Sequence, residues 1–171
     1  MGGDEAISLF HKSSLTKHEI ASELPGHNTE IQLRACCMKE KIISLAAKYR
    51  LKIIYAFGSR AKDALNIVEG RLGSLPCTSS DLDIGVKPEK PLTVEEKVEI
   101  ALFFEDLFNV NRVDVVVLPE APVFLALEIV SGEVLYARDA AHEAEYQLYI
   151  MRMAADLLPY EREKQKMIIG A

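Results

Sequence analysis

Asp81 and Asp83 stand two residues apart at the head of a short apolar run, Asp81-Leu82-Asp83-Ile84-Gly85-Val86. Asp114 interrupts a second run, Arg112-Val113-Asp114-Val115-Val116-Val117-Leu118, the most strand-like in the chain. Side chains at i and i+2 of a strand point to one face. Asp81 and Asp83 therefore project together, and a neighbouring strand can bring Asp114 beside them. A third run, Leu51-Lys52-Ile53-Ile54-Tyr55-Ala56-Phe57, reads as a buried strand that stops at Gly58-Ser59. A carboxylate inside an apolar strand is costly unless paired, and three together repel one another. Divalent cations are the usual remedy, because they favour several oxygen ligands. The competing account of Asp114 is a salt bridge to Arg112, which shares its strand face.

The remaining pattern places these strands among helices. Ile31, Ala35, Met38, Ile42, Leu45, Ala46 and Tyr49 recur at helical spacing, which predicts an amphipathic helix over 31–49. Cys36 and Cys37 fall within it and read as helix packing. Residues 59–68 have helical propensity, and Gly70, Gly73 and Pro76 then make 69–80 a loop. Thr93-Val94-Glu95-Glu96 has the form of a capping box. The helix it opens should reach about Phe108, with Val94, Val98, Ala101, Leu102 and Phe108 along one side. Ile100, Phe103, Phe104 and Leu107 widen that apolar surface. A short apolar helix over 123–130 should start near Pro122, and Glu133-Val134-Leu135-Tyr136-Ala137 adds an edge strand. Helical spacing resumes from Asp139 and is expected to stop near Pro159. Residues 14–24 suggest a further short helix.

The chain has 171 residues, 49% of them hydrophobic, enough for a single core. Residues 1–30 read as an N-terminal arm or short helix, 31–160 as the domain with its C-terminal helix, and 161–171 as a charged tail. A net charge of −6 argues against a broad grip on DNA or RNA. It leaves room for a nucleotide. Three cysteines without metal or disulfide spacing suit a reducing compartment. With no apolar window of the roughly eighteen residues a membrane span requires and no leader pattern, the expected location is the cytoplasm.

Taken in order, the strand ending in Gly58-Ser59, Asp81-x-Asp83 on a second strand and Asp114 on a later one resemble the nucleotidyltransferase superfamily of DNA polymerase β. The small size is similar to its minimal nucleotidyltransferases. The resemblance spans roughly residues 51–136, and Tyr146 with Tyr160-Glu161-Arg162 is similar to that group's C-terminal helix. It implies an α/β fold, a small mixed sheet with helices mainly on one face and the active site on the open face. The helices at 31–49 and 93–108 would cover the buried face, with a C-terminal helix across it or at its edge.

The same resemblance implies transfer of AMP from ATP to a hydroxyl. Two Mg2+ ions would be held by Asp81, Asp83 and Asp114, with Asp114 also taking the acceptor's proton. Gly58, Ser59 and Arg60 would meet the phosphates. The implied partner is a HEPN-type ribonuclease toxin, inactivated by AMP on a tyrosine, with this chain as antitoxin. The alternatives are a small hydroxylated acceptor, such as an aminoglycoside, or a degenerate module that binds without turnover. Two departures from the family pattern are Asp63, where glycine is usual, and extra residues around 66–78.

Overall fold

The computed structural model describes residues 26–76 and 80–169. The expected helix at 14–24 lies outside them. Four strands, β1 (Leu51–Phe57), β2 (Leu82–Pro88), β3 (Val113–Val117) and β4 (Glu133–Ala137), form one sheet in the order β3-β2-β1-β4. β1 pairs antiparallel with β2 and with β4, whereas β2 and β3 are parallel. A parallel pair needs a crossover, and α3 (Val94–Phe108) supplies it. The mixed α/β architecture is the one the resemblance implied.

Alternate residues of β1 enter two separate cores. Ile54 and Ala56 join the larger one, with residues of α1 (Gly26–Lys48), α2 (Ala61–Val68) and α3. Ile53, Tyr55 and Phe57 join a smaller one on the opposite face, under α4 (Val123–Val130) and α5 (Ala140–Ile169). That burial on both sides explains the unbroken apolar run of β1. It also corrects the expected position of the C-terminal helix: α5 lies on the second face, not across the first. Gln147 donates to the Val130 carbonyl at 2.6 Å, Tyr55 donates to Glu143 at 2.7 Å, and Lys87 sits 4.5 Å above the Tyr146 ring. Gly85 has its reason here too. A Cβ on it would come within 2.2 Å of Ile129 Cγ2, so only glycine lets α4 lie this close to β2.

The capping box forms as read: Glu96 N–H donates to Thr93 Oγ1 at 3.2 Å, and Thr93 N–H to Glu96 Oε2 at 2.8 Å. The buried side of α3 differs from the expected one. Ile100, Phe104 and Phe108 are enclosed, while Val94, Val98 and Leu102 are more than half exposed. Two apolar stripes competed for the sheet, and the one richer in phenylalanine won. Cys36 and Cys37 are exposed, not packed, because Ala35, Ile42, Leu45, Ala46 and Tyr49 already form the core-facing stripe of α1. α5 continues through Pro159. Residues 155–160 are all exposed, so water can take the carbonyl that proline leaves without a donor.

Candidate active site

Parallel pairing puts Asp83 of β2 directly opposite Asp114 of β3. Asp81, two residues earlier, shares that face. The three aspartates are thus gathered at one end of the sheet, on the same side as α4. Asp83 is also the cross-strand partner of Phe57, after which the chain turns at Gly58. Gly58 has φ +71°, and a Cβ there would lie 2.6 Å from Asp83 Oδ2. The positive φ favours glycine, and any larger residue would also have to push the Asp83 carboxylate aside. Ser59 follows, exposed, in a one-turn 3-10 segment that leads into α2.

Like charges mark this cluster. The Asp83 carboxyl is pushed above the usual carboxylate range, first by burial and then by Asp114, Asp81 and Glu128. The competing sequence account is also present. Arg112 Nε donates to Asp114 Oδ1 at 3.1 Å and Nη2 to Oδ2 at 3.3 Å, while Nε lies 3.6 Å from Asp81 Oδ2. The Arg112 side chain is 64% exposed, so water and salt compete for it. As these side chains stand, no three acidic, histidine or cysteine groups among the described residues close around one ion-sized point.

Arg60 is placed differently from the expectation that it meets phosphates. It is 7% exposed, and its two terminal nitrogens donate to the Ser80 carbonyl at 2.8 Å and the Pro76 carbonyl at 3.0 Å. The guanidinium therefore ties down Pro76 and Ser80, near the end of the long connection that delivers Asp81. Its Nε has no partner among the described residues.

Beside Gly58 and Ser59 opens a cleft of about 670 Å³, walled by Lys62 on one side and by Glu128, Ser131 and Glu133 on the other. That is the size of a small-molecule site. A hollow of about 680 Å³ between α1 and α3 is as large, but it lies under the opposite face, away from the aspartates. The first cleft is the candidate: none of the aspartates lines it, but it adjoins Asp83 through Gly58.

The sequence model of the family described as polymerase beta, nucleotidyltransferase, matches residues 40–141. The chain belongs to that family. No curated protein sequence matches it. Among solved structures it is similar to an MntA–HpeT toxin–antitoxin mutant, at 22% identity and TM-score 0.59, over 78% of this chain and 98% of that one. A toxin–antitoxin structure with AMP-PNP matches at 23% and 0.59, over 78% and 98%. A third, the tri-AMPylated Shewanella oneidensis HEPN toxin in complex with MNT antitoxin, matches at 22% and 0.56, over 80% and 99%. At this identity the likeness is one of fold.

Lys62 and Glu128, two residues lining this candidate cleft, escaped the sequence reading. Glu128, on α4, lines the cleft and adds to the negative field at Asp83. Its trace in the sequence is faint but real: it is the single charge in the helix Val-Phe-Leu-Ala-Leu-Glu-Ile-Val.

Proposed function

We infer that this chain moves AMP from ATP onto a hydroxyl, a tyrosine of a HEPN-type toxin, and so acts as that toxin's antitoxin. The observation that carries the reading is the pairing of Asp83 with Asp114 across adjacent strands, with Asp81 on the same face and Gly58-Ser59 alongside. Family membership supports the reaction class. The likeness to toxin–antitoxin structures supports the partner, and a net charge of −6 suits a toxin made basic to grip RNA.

The donor chemistry fits magnesium. Three carboxylates offer hard oxygen ligands on one face, and the Asp83 carboxyl, held above its usual range first by burial and then by Asp114, Asp81 and Glu128, is one whose charge a cation would stabilise. Bound divalent cations would neutralise the triphosphate and align the attacking and leaving oxygens. Asp81 and Asp83 would hold them. Asp114, on the neighbouring strand, would ligate and accept the acceptor's proton. Gly58 presents bare backbone to the phosphates, Ser59 offers its hydroxyl and N–H, and Lys62 across the cleft adds a positive charge. Arg60 holds the connection in place behind them.

Incubation with labelled ATP, Mg2+ and a co-expressed toxin tests this. Label should reach the toxin, and Asp83→Asn or Asp81→Asn should reduce transfer to background. Undiminished transfer by Asp83→Asn would refute the assignment of the site, and label on an aminoglycoside in place of the toxin would refute the partner. The Arg112–Asp114 pair favours a second reading, a module that binds nucleotide without turnover. Tight ATP binding with no product on any acceptor would select it.

A further inference from the structure

We propose that residues 16–24 dock as a short amphipathic helix in the groove between α1 and α3, on the side of the domain turned away from the aspartates. The groove has two chambers. One of about 410 Å³ lies beside the first half of α1 and is lined by Met38, Ile67, Leu72, Leu107 and Phe108. The other is the hollow of about 680 Å³ farther along the same two helices, with Leu102 and Phe103 on its α3 wall. Cys37, Lys41 and Asp106 line both, so the chambers join there. Apolar surface left open over this length marks a contact site. Leu102, on the rim, is 53% exposed.

The sequence just ahead of α1 has the form of a fitting helix. Thr16-Lys17-His18-Glu19 repeats the capping-box pattern, and Leu15 and Ile20 stand at the two positions of a hydrophobic staple. From that start Ile20, Ala21 and Leu24 share one stripe, with Lys17 a turn earlier on the same line. Pro25 ends the pattern, and α1 begins at Gly26. A connection this short makes two helices antiparallel neighbours. It also keeps the segment beside the groove at an effective concentration in the millimolar range, which favours it over a second copy or a separate partner. Running back along α1, Leu24 and Ile20 would enter the smaller chamber near Ile31 and Leu72. Lys17, two turns or about 10 Å back from Leu24, would arrive where the Asp106 carboxylate lines the groove.

The test is the rate at which iodoacetamide alkylates Cys37 in the full chain, read by fragment-ion mass spectrometry and divided by the rate in urea. Cys36 is the internal control. It is adjacent on α1 but about 100° around the helix, and it lines neither chamber. Both thiols are exposed among the described residues. With the segment docked, Cys37 should react about fivefold or more slowly than Cys36. Ile20→Asp or Leu24→Asp should bring Cys37 up to the rate of Cys36 and leave Cys36 unchanged. Lys17→Glu should remove part of the protection, and adding Asp106→Lys should restore it, a rescue that docking elsewhere would not give. Equal rates for the two thiols in wild type, or protection indifferent to Leu24→Asp, would overturn the proposal. Protection that fades on dilution would overturn it too, by assigning the groove to a second copy. Failure of Asp106→Lys to rescue Lys17→Glu would remove this groove as the docking site.

Discussion

At the scale of single residues, Asp83 carries the conflict between stability and chemistry. Its folded carboxyl holds a proton more readily than an unfolded one, so its ionised form opposes folding. That penalty is complete at pH above the raised value. It disappears as pH falls to the ordinary aspartate value of about 3.9. Asp83→Asn should therefore melt higher than wild type in EDTA at about pH 8, with the difference closing towards about pH 4. Melts that coincide across that range would contradict the account. Arg60 makes the opposite kind of contribution. Arg60→Ala removes two charge-assisted hydrogen bonds from a buried side chain and should cost about 2–3 kcal/mol in urea unfolding. Arg60→Lys should recover only part, since an ammonium lacks the fork that reaches both carbonyls. That Asp81 and Asp83 share a face was legible from strand period, and Asp114 stood out as a carboxylate inside an apolar run. The role of Arg60 was not, because nothing local shows where the connection doubles back.

At the scale of elements, the contact between α4 and β2 is the one most sensitive to a single methyl group. Gly85→Ala drives a Cβ into fully buried Ile129 and should destabilise by about 1–3 kcal/mol. Combined with Ile129→Ala, it should cost less than the sum of the two single changes. α5 should divide into two halves under the same measurement. Ile150→Ala, at 5% exposure, should cost about 2–5 kcal/mol, whereas Leu157→Ala, at 41%, should stay within about 0.5 kcal/mol. Strands, the Thr93 cap and the helix after Pro122 were readable because neighbouring residues fix them. The face of α3 was not, since its sequence offers two apolar stripes and only the sheet chooses between them. Pro159 misled for a related reason: a proline stops a helix firmly where the freed carbonyl is buried, and this one is in water.

At the scale of the whole molecule, nucleotide and cation should act as ligands of the native state alone. The MgATP complex, at about a hundred times its dissociation constant, should stabilise the protein by about 2.7 kcal/mol, and Asp83→Asn should lose most of that gain in thermal melts. The site joins parts that are far apart in sequence, with Gly58 after β1, the aspartates on β2 and β3, and Glu128 on α4. Their convergence depends on sheet order, which sequence period does not encode.

The two long connections of the fold are consequently unequal in their freedom to vary. Between β1 and β2, residues can be gained or lost around the exposed Gly73-Ser74 as long as Arg60 still catches the carbonyls of Pro76 and Ser80. The return from α3 into β3 has no such slack. Shifting the join at 109–112 by one position against a fixed β2 would send Asp114 through the sheet and bring Val113 or Val115 up beside Asp83. A lineage descended from this chain should therefore vary freely in length at the first connection and hardly at all at the second.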